Sequence, residues 1–511
     1  MKLPYVYLVG VGPGDPSLIS ARGQKYLETA DVVVYDHRVH ARLLRLARAD
    51  AERIDVGPAA PTPLEQEAIS ILLVEKAREG KTVVRLKLGD PFVFDSGGKE
   101  ALLLHEHAVP FEVVPGIPTE IGGAAYAGIP VTYPGAGDLL TFVRGNESET
   151  DTGPDVDWPK LAALGGTIVC HAGARQIGRI TQALLAHGRP PQESAALVYD
   201  ATLPTQRTVE GTLADLAGAA LEGRPALLVL GSVAGLRQHL RWFDDRPLFG
   251  KRIVVTRSRE QAGELIERLE ECGADPIPAP TIRIAPPEDM DALDRACAQA
   301  GAYDWIVFAS ANAVDFFMDR LLALADVREL KGVRICTVGP STASRLARFG
   351  IRVDLTPPEY RAESMVEALR SAGDIAGRRF LLPRADIGRD VLADALRESG
   401  AEVTEVIAYR TVLGAAESEY DIYRMLLDRE IDAVTFTGAS TVRNFSAILG
   451  REQAADLLRS TVVECIGPVT AEAAQQLDIS TTVMPQRYTI PDLVDALVAH
   501  FRQHATSGAS A

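Results

Sequence analysis

Trp242–Arg252, WFDDRPLFGKR, separates two α/β patterns that do not run into each other. On its left, Pro225–Gly231 (PALLVLG) closes one pattern with a small, apolar run. On its right, Lys251–Arg257 (KRIVVTR) opens another with a basic-flanked β-branched run, as a first buried strand does. The seam is polar and carries the breakers Pro247 and Gly250. A chain of 511 residues also exceeds what one core normally serves, so the reading is two domains, 1–246 and 250–505.

Composition narrows the class. A net charge of -16 argues against a nucleic-acid surface or an anionic membrane as partner, and leaves an anionic ligand only a locally basic site. Cys170, Cys272, Cys297, Cys336 and Cys465 show no CxxC and no histidine at metal spacing. Neither a disulfide framework nor a metal site is expected, which fits a reducing cytoplasm. No apolar run approaches the roughly 18 residues of a spanning helix, and Met1-Lys-Leu-Pro leads into a strand rather than a signal peptide.

In the left half, Tyr5–Val9 reads as a strand, Gly10–Asp15 (GVGPGD) as a loop, and Ser17–Ala30 as helical. Such a loop brings backbone N–H groups close to a ligand, or it is a tight strand-to-helix turn. It is not the dinucleotide pattern GxGxxG, whose last glycine would fall at Asp15. Asp31–Asp36 (DVVVYD) and Val83–Pro91 (VVRLKLGDP) are strands ending in carboxylates, where open α/β sheets carry chemistry. Asp90 can equally be a helix cap.

Taken in order, Val9–Pro16, Ala30–Asp36, Arg85–Phe92, Phe111–Gly116, Ala125–Thr132 and Gln206–Leu213 resemble uroporphyrinogen-III C-methyltransferase over the whole left half. The resemblance implies a two-lobed tetrapyrrole methylase fold rather than a Rossmann methyltransferase. S-adenosylmethionine would lie in the cleft between lobes, uroporphyrinogen III would be the acceptor, and a homodimer would form through this half. It places the donor against Pro13, Gly89, Asp90, Val93, Ala172 and Ala201, with Asp36 as proton acceptor. Several positions depart from the family. Pro58 stands where it has a lysine proton donor, Leu88 replaces the first glycine of Lys-Gly-Gly-Asp, and Pro118-Thr119 replace a small hydroxyl residue and alanine. Ala172 replaces a methionine, Ala201 a glycine, and Tyr133-Pro134 a basic pair. These departures predict weakened donor binding and an altered methyl-transfer site, with Leu88 placing an isobutyl group beside the donor.

The right half contains a repeat. Phe308–Asn312 (FASAN) recurs as Phe436–Ser440 (FTGAS), and Val338–Thr342 (VGPST) as Ile466–Thr470 (IGPVT), with Phe308 to Gly339 and Phe436 to Gly467 equally spaced. Ile253–Arg257 (IVVTR) likewise recurs as Phe380–Arg384 (FLLPR). Each copy reads as one parallel α/β unit whose strand ends expose backbone N–H groups. Two such units would make an anion site around Arg257, Ser310, Thr342, Arg384, Ser440 and Thr470. The alternative is that Gly-Pro-x-Thr merely starts a helix with threonine as its cap.

These segments, with Val406–Thr411 (VIAYRT) and Tyr488–Asp492 (YTIPD), resemble uroporphyrinogen-III synthase across the half. The resemblance implies two flavodoxin-like α/β lobes on a two-stranded linker, 250–285 with 413–505 forming one and 286–412 the other. Its activity is closure of hydroxymethylbilane with inversion of the last ring, without a cofactor. Tyr409 takes the place of the family's candidate acid for expelling the hydroxyl, unless it is simply a packing residue of the linker. Three functions follow: both halves acting in sequence, an active synthase with a non-catalytic methylase-like half, or a tetrapyrrole carrier without turnover.

Overall fold

A computed structural model describes residues 5–36, 39–57, 63–145, 155–218, 224–357, 362–373, 375–386, 391–413 and 420–508. Spatial proximity divides the chain into two compact units, Met1–Lys251 with Leu269–Asp275, and Arg252–Arg268 with Pro276–Ala511.

The first unit contains two sheets. In the first, β1 (Tyr5–Gly10), β2 (Val32–Tyr35), β3 (Glu52–Asp55), β4 (Thr82–Lys87) and β5 (Phe111–Val114) are all parallel, in the order β3-β2-β4-β1-β5. Both faces are buried: Val6, Leu8, Val32 and Val34 pack on one, and Val9, Val33, Val84 and Leu86 on the other. That is why these strands read as unbroken apolar runs rather than alternating ones. The helical reading of Ser17–Ala30 is corrected to a 3-10 turn at Pro16–Leu18 and a helix at Ala21–Glu28. Asp15 accepts from Ser17 N at 2.8 Å and Ser20 Oγ from Gly23 N at 3.1 Å, so each segment has its own start.

At the carboxyl ends of β1, β4 and β5 three glycines meet. A Cβ on Gly10 would stand 2.6 Å from both Gly116 N and Gly89 O, and one on Gly116 would overlap the Gly89 carbonyl oxygen. Gly12 and Gly89 also exchange backbone hydrogen bonds of 3.3 and 2.8 Å.

The second sheet contains β6 (Leu140–Phe142), β7 (Thr167–Ala172), β8 (Ser194–Tyr199), β9 (Arg207–Thr212) and β10 (Ala226–Leu230), in the order β6-β7-β10-β8-β9. Only β6 and β7 run parallel; the other pairs are antiparallel. The Thr119–Tyr126 helix follows the Gly116 loop of the first sheet and packs Ala124 against Val169, Ala196 and Leu227 of the second. It therefore joins the two sheets.

The second unit has two sheets. β11 (Arg252–Val255), β12 (Asp275–Pro278), β18 (Ala433–Phe436) and β19 (Val462–Cys465) form one, in the order β12-β11-β18-β19. The other is β13-β17-β16-β14-β15, from β13 (Ile282–Ala285), β14 (Trp305–Phe308), β15 (Arg334–Thr337), β16 (Arg379–Ala385) and β17 (Glu402–Leu413). The chain leaves the first sheet after β12 and returns to it at β18. β17 runs parallel to β16 as far as Tyr409 and then pairs antiparallel with β13 from Arg410 to Leu413, which makes the two-stranded linker.

Glu464 on β19 is completely buried, in register with Thr435, and neither carboxylate oxygen has a hydrogen-bond partner. Burial alone pushes its carboxyl well above the ordinary range.

Two outcomes follow. Gly116→Ala should destabilise the chain by about 1 to 3 kcal/mol, because backbone must move aside for the new methyl, and thermal unfolding will register the loss. The second concerns Glu464, whose folded state holds the proton more tightly than the unfolded state. The contribution of this group should therefore be fully present below the ordinary pKa of 4.5 and be lost as pH rises from there toward the raised folded value, by at most about 1.4 kcal/mol per pH unit. Glu464→Gln should lack this loss, so denaturant unfolding should show the variant gaining on the parent chain as pH rises above 4.5 and matching its slope below.

Candidate functional site

In the first unit three of the predicted donor residues, Pro13, Gly89 and Ala201, lie against the Thr119–Tyr126 helix. A methyl placed on Gly122 would stand 2.8 Å from Pro13 Cγ, one on Gly123 2.9 Å from Ala201 Cβ, and one on Gly89 3.4 Å from Thr119 N and Oγ1. Asp90 is not a helix cap. Its Oδ1 accepts from Phe92 N at 2.8 Å and its Oδ2 from Gly116 N at 3.1 Å, so it ties the β4 loop to the β5 loop. Val93 is half-buried in the same turn, and Ala172 ends β7 without exposed surface.

The glycine loop is latched to the far side of the helix. Asp15 N donates to Thr202 Oγ1 at 2.9 Å, and Tyr126 Oη donates to Asp15 Oδ2 at 2.8 Å. Gln206 accepts from Thr202 N at 2.9 Å and donates to Tyr126 O at 3.2 Å. Gln206 and Thr202, to which sequence reasoning gave no role, thus hold the turn that presents Ala201.

Leu88, expected beside the donor, follows β4 and is half-buried. Its side chain packs on the core around Val9, Leu27, Val33, Val84 and Leu86, on the face of the sheet opposite Val6 and Val34. Pro58 lies outside the described residues, and Tyr133 is half exposed in the turn that follows the helix.

Asp36 is held by a buried charge network that the sequence did not announce. Arg85, 2% exposed, donates to Asp36 Oδ2 at 3.2 Å and approaches Glu100 Oε1 at 3.4 Å. Lys87 contacts the same Glu100 oxygen at 3.0 Å, Asp95 at 2.9 Å and Ser96 Oγ at 2.8 Å. Burial works against the charge on Glu100, but Lys87 and Arg85 outweigh it and hold its carboxyl below the ordinary value. The signal was present as Arg85 and Lys87 inside an apolar strand, where charge is found only when paired.

A further carboxylate, Glu120, sits in the first turn of the Thr119–Tyr126 helix, 6% exposed, with no hydrogen bond from another residue and no ion pair among the described residues. Burial pushes its carboxyl up, its own backbone N–H opposing. Burial and then Glu120 push the thiol of Cys170 on β7 up to about 12.

In the second unit Ser310 and Tyr409 come together, their hydroxyls 3.1 Å apart. Ser310 caps the Ala311–Leu324 helix, accepting from Ala313 N at 3.1 Å. Tyr409 is 8% exposed, lies at the last residue of β17 paired with β16, and stacks on Phe316. The register shifts there, Arg384 facing Ile407 and Ala385 facing Tyr409, so Ala408 and Tyr409 both turn into one core.

The expected threonine caps are corrected. Gly339 and Gly467 occupy the N-cap positions of the Pro340–Ala347 and Pro468–Gln475 helices, with Pro340 and Pro468 as first helical residues and Thr342 and Thr470 buried in the first turns. The other copies also differ: Ser310 caps its helix, whereas Gly438 takes that place in the second and Ser440 is exposed within the turn. Arg384 is not a free cation, being engaged by Glu405. Arg257 has no ion pair among the described residues, only Gln261 at 3.3 Å, and burial lowers its pKa with Glu264 opposing. No described group of three or more His, Cys, Asp or Glu could hold a metal, and no described helix is long and apolar enough to cross a membrane.

Fold and sites together define a fused α/β enzyme, a two-lobed methylase followed by two flavodoxin-like lobes. Residues 5–217 match the family model for tetrapyrrole (corrin/porphyrin) methylases, and residues 263–495 that for uroporphyrinogen-III synthase HemD. The porphyrin biosynthesis protein HemD of Ruminiclostridium josui is 36% identical over 505 residues, 98% of this chain and 98% of that one. A uroporphyrinogen-III C-methyltransferase of Bacillus subtilis is 34% identical over 371 residues, 72% of this chain and 76% of that one. A uroporphyrin III C-methyltransferase structure from Thermus thermophilus is 37% identical, with 45% of this chain and 99% of that one covered at a TM-score of 0.40. The chain belongs to the HemD family of porphyrin biosynthesis proteins, as a fusion of a tetrapyrrole C-methyltransferase-type domain with a uroporphyrinogen-III synthase domain.

Lys87→Met should cost about 3 to 5 kcal/mol, since it leaves Glu100 buried with half of its compensation removed. Thermal or denaturant unfolding of the variant gives the figure directly.

Proposed function

We propose that the second unit closes hydroxymethylbilane to uroporphyrinogen III and that the first methylates this product with S-adenosylmethionine. The packing of Leu88 into the core carries the methyltransferase half of this reading. With that side chain packed on this core, the donor would be bordered by Pro13, the Gly89 backbone, Asp90, Val93 and the small side chains of Ala172 and Ala201. S-adenosylmethionine would supply an electrophilic methyl group there. Asp36, fixed by Arg85, would accept the proton released when a pyrrole carbon is methylated. Sequential action also makes the product of one domain the substrate of the other.

In the second unit the pyrrole expels its own hydroxyl, so the protein's main task is to hold the chain with its last ring oriented for attack. Tyr409, with Ser310 fixing its hydroxyl, would donate a hydrogen bond to the departing oxygen. Arg257 and the first turns at Gly339 and Gly467 would bind substrate carboxylates.

A second reading keeps the synthase and makes the first unit a binding module. Pro58 favours it, because that side chain has no proton to give, as do Tyr133-Pro134, which carry no cation. Incubating the full chain with hydroxymethylbilane and methyl-labelled S-adenosylmethionine distinguishes them. Label in dimethylated uroporphyrinogen supports both activities; unlabelled type III isomer supports the second reading; spontaneous type I product alone rejects both. Tyr409→Phe should lower the closure rate roughly tenfold to a hundredfold, the worth of one hydrogen bond to a developing charge, in a stopped assay of type III product.

A further inference from the structure

We propose that Glu120 is the counter-ion for a cationic group of the methyl donor, the sulfonium or the α-ammonium of S-adenosylmethionine. The inference rests on the donor site proposed for the first unit.

Position is the first argument. Glu120 follows Thr119, whose N and Oγ1 would lie 3.4 Å from a methyl on Gly89. It precedes by one helical turn Gly123, which closes on Ala201. Its charge is felt by Cys170, two residues before Ala172 on β7. Residue 120 thus lies on the helix between the positions that approach Gly89 and Ala201, and its carboxylate acts on the strand that ends in Ala172.

Chemistry is the second. Acids in a first helical turn commonly do no more than complement the helix dipole, worth about 0.3 to 1 kcal/mol at an exposed site. Glu120 is instead 6% exposed, with no cation and no hydrogen-bond donor from another residue against its carboxylate among the described residues. A carboxylate in such a place is costly until a positive charge enters, and the raised pKa records that cost. Nearby Cys170 cannot serve, because a thiol carries no positive charge in either protonation state. S-adenosylmethionine carries a sulfonium that its product S-adenosylhomocysteine lacks, while both carry the α-ammonium.

Calorimetric titration of the full chain and of Glu120→Gln, each with S-adenosylmethionine and with S-adenosylhomocysteine, tests the assignment. The amide keeps the shape and removes the charge. The expected result is a tenfold to hundredfold weaker affinity of the variant for S-adenosylmethionine, the worth of one charged contact. An unchanged S-adenosylhomocysteine affinity identifies the sulfonium as the partner, and a parallel loss identifies the α-ammonium. Glu120→Asp, which retains the charge on a shorter arm, should recover part of the lost affinity, whereas a purely structural role would give both variants the same behaviour. Equal affinity of the parent chain and Glu120→Gln for S-adenosylmethionine overturns the inference and leaves the methyltransferase reading standing. If the parent chain binds neither compound, both fall.

Discussion

The first unit depends on a contact between backbones. Gly10, Gly89 and Gly116 end three neighbouring strands of one parallel sheet, and they meet so closely that no side chain fits at Gly10 or Gly116. Parallel strands ordinarily splay into loops at their carboxyl ends, which is where such sheets place ligands. Here the loops are drawn together instead, with Asp90 tying the β4 loop to Gly116 and Gly12 pairing with Gly89. Pro13, Asp90 and the start of the Thr119–Tyr126 helix are positioned by this junction, so the candidate site inherits the precision of a sheet.

The helix after the junction carries that order to the second sheet. It is rich in glycine and alanine because Pro13 and Ala201 lie against Gly122 and Gly123, while Ala124 lies in the second core. On the other side of the first sheet, Arg85 and Lys87 are buried around one carboxylate oxygen of Glu100. Buried ion pairs are poor sources of net stability, since desolvation offsets attraction. Their evident effect is to fix Asp36 and the turn at Asp95 and Ser96, an arrangement better suited to holding a carboxylate still than to strengthening the fold.

Much of this was legible in the chain. Apolar runs bounded by glycine loops gave the parallel sheets, and the Phe308/Phe436 and Gly339/Gly467 repeat disclosed two like lobes, because both rest on local periodicity and turn chemistry. Side-chain direction was harder to read. Leu88 follows a strand whose both faces are buried, so nothing in its neighbours tells whether it turns toward the core or the loop. Arg384 has the same strand-end setting as Arg257, yet Glu405 on the adjacent strand engages one and not the other. Ser310 and Ser440 look alike in sequence but differ by two positions relative to their strands, enough to make one a cap and the other an exposed residue. Pairings across strands are non-local, and a single sequence carries little trace of them.

The irregularity in β17 has a bearing on how this segment can change over generations. Strand neighbours face opposite ways, yet Ala408 and Tyr409 enter the same core because one extra residue is accommodated between Arg384 and Ala385 on the facing strand. The direction of Tyr409 is consequently set by how many residues precede it, not by which residues they are. Substitutions at the exposed Ile407 leave that count untouched, whereas a single-codon insertion or deletion between Glu402 and Ala408 would rotate Tyr409 away from Ser310 or shift the linker pairing beyond it. Lineages carrying this domain should therefore vary freely in composition along β17 while keeping its length.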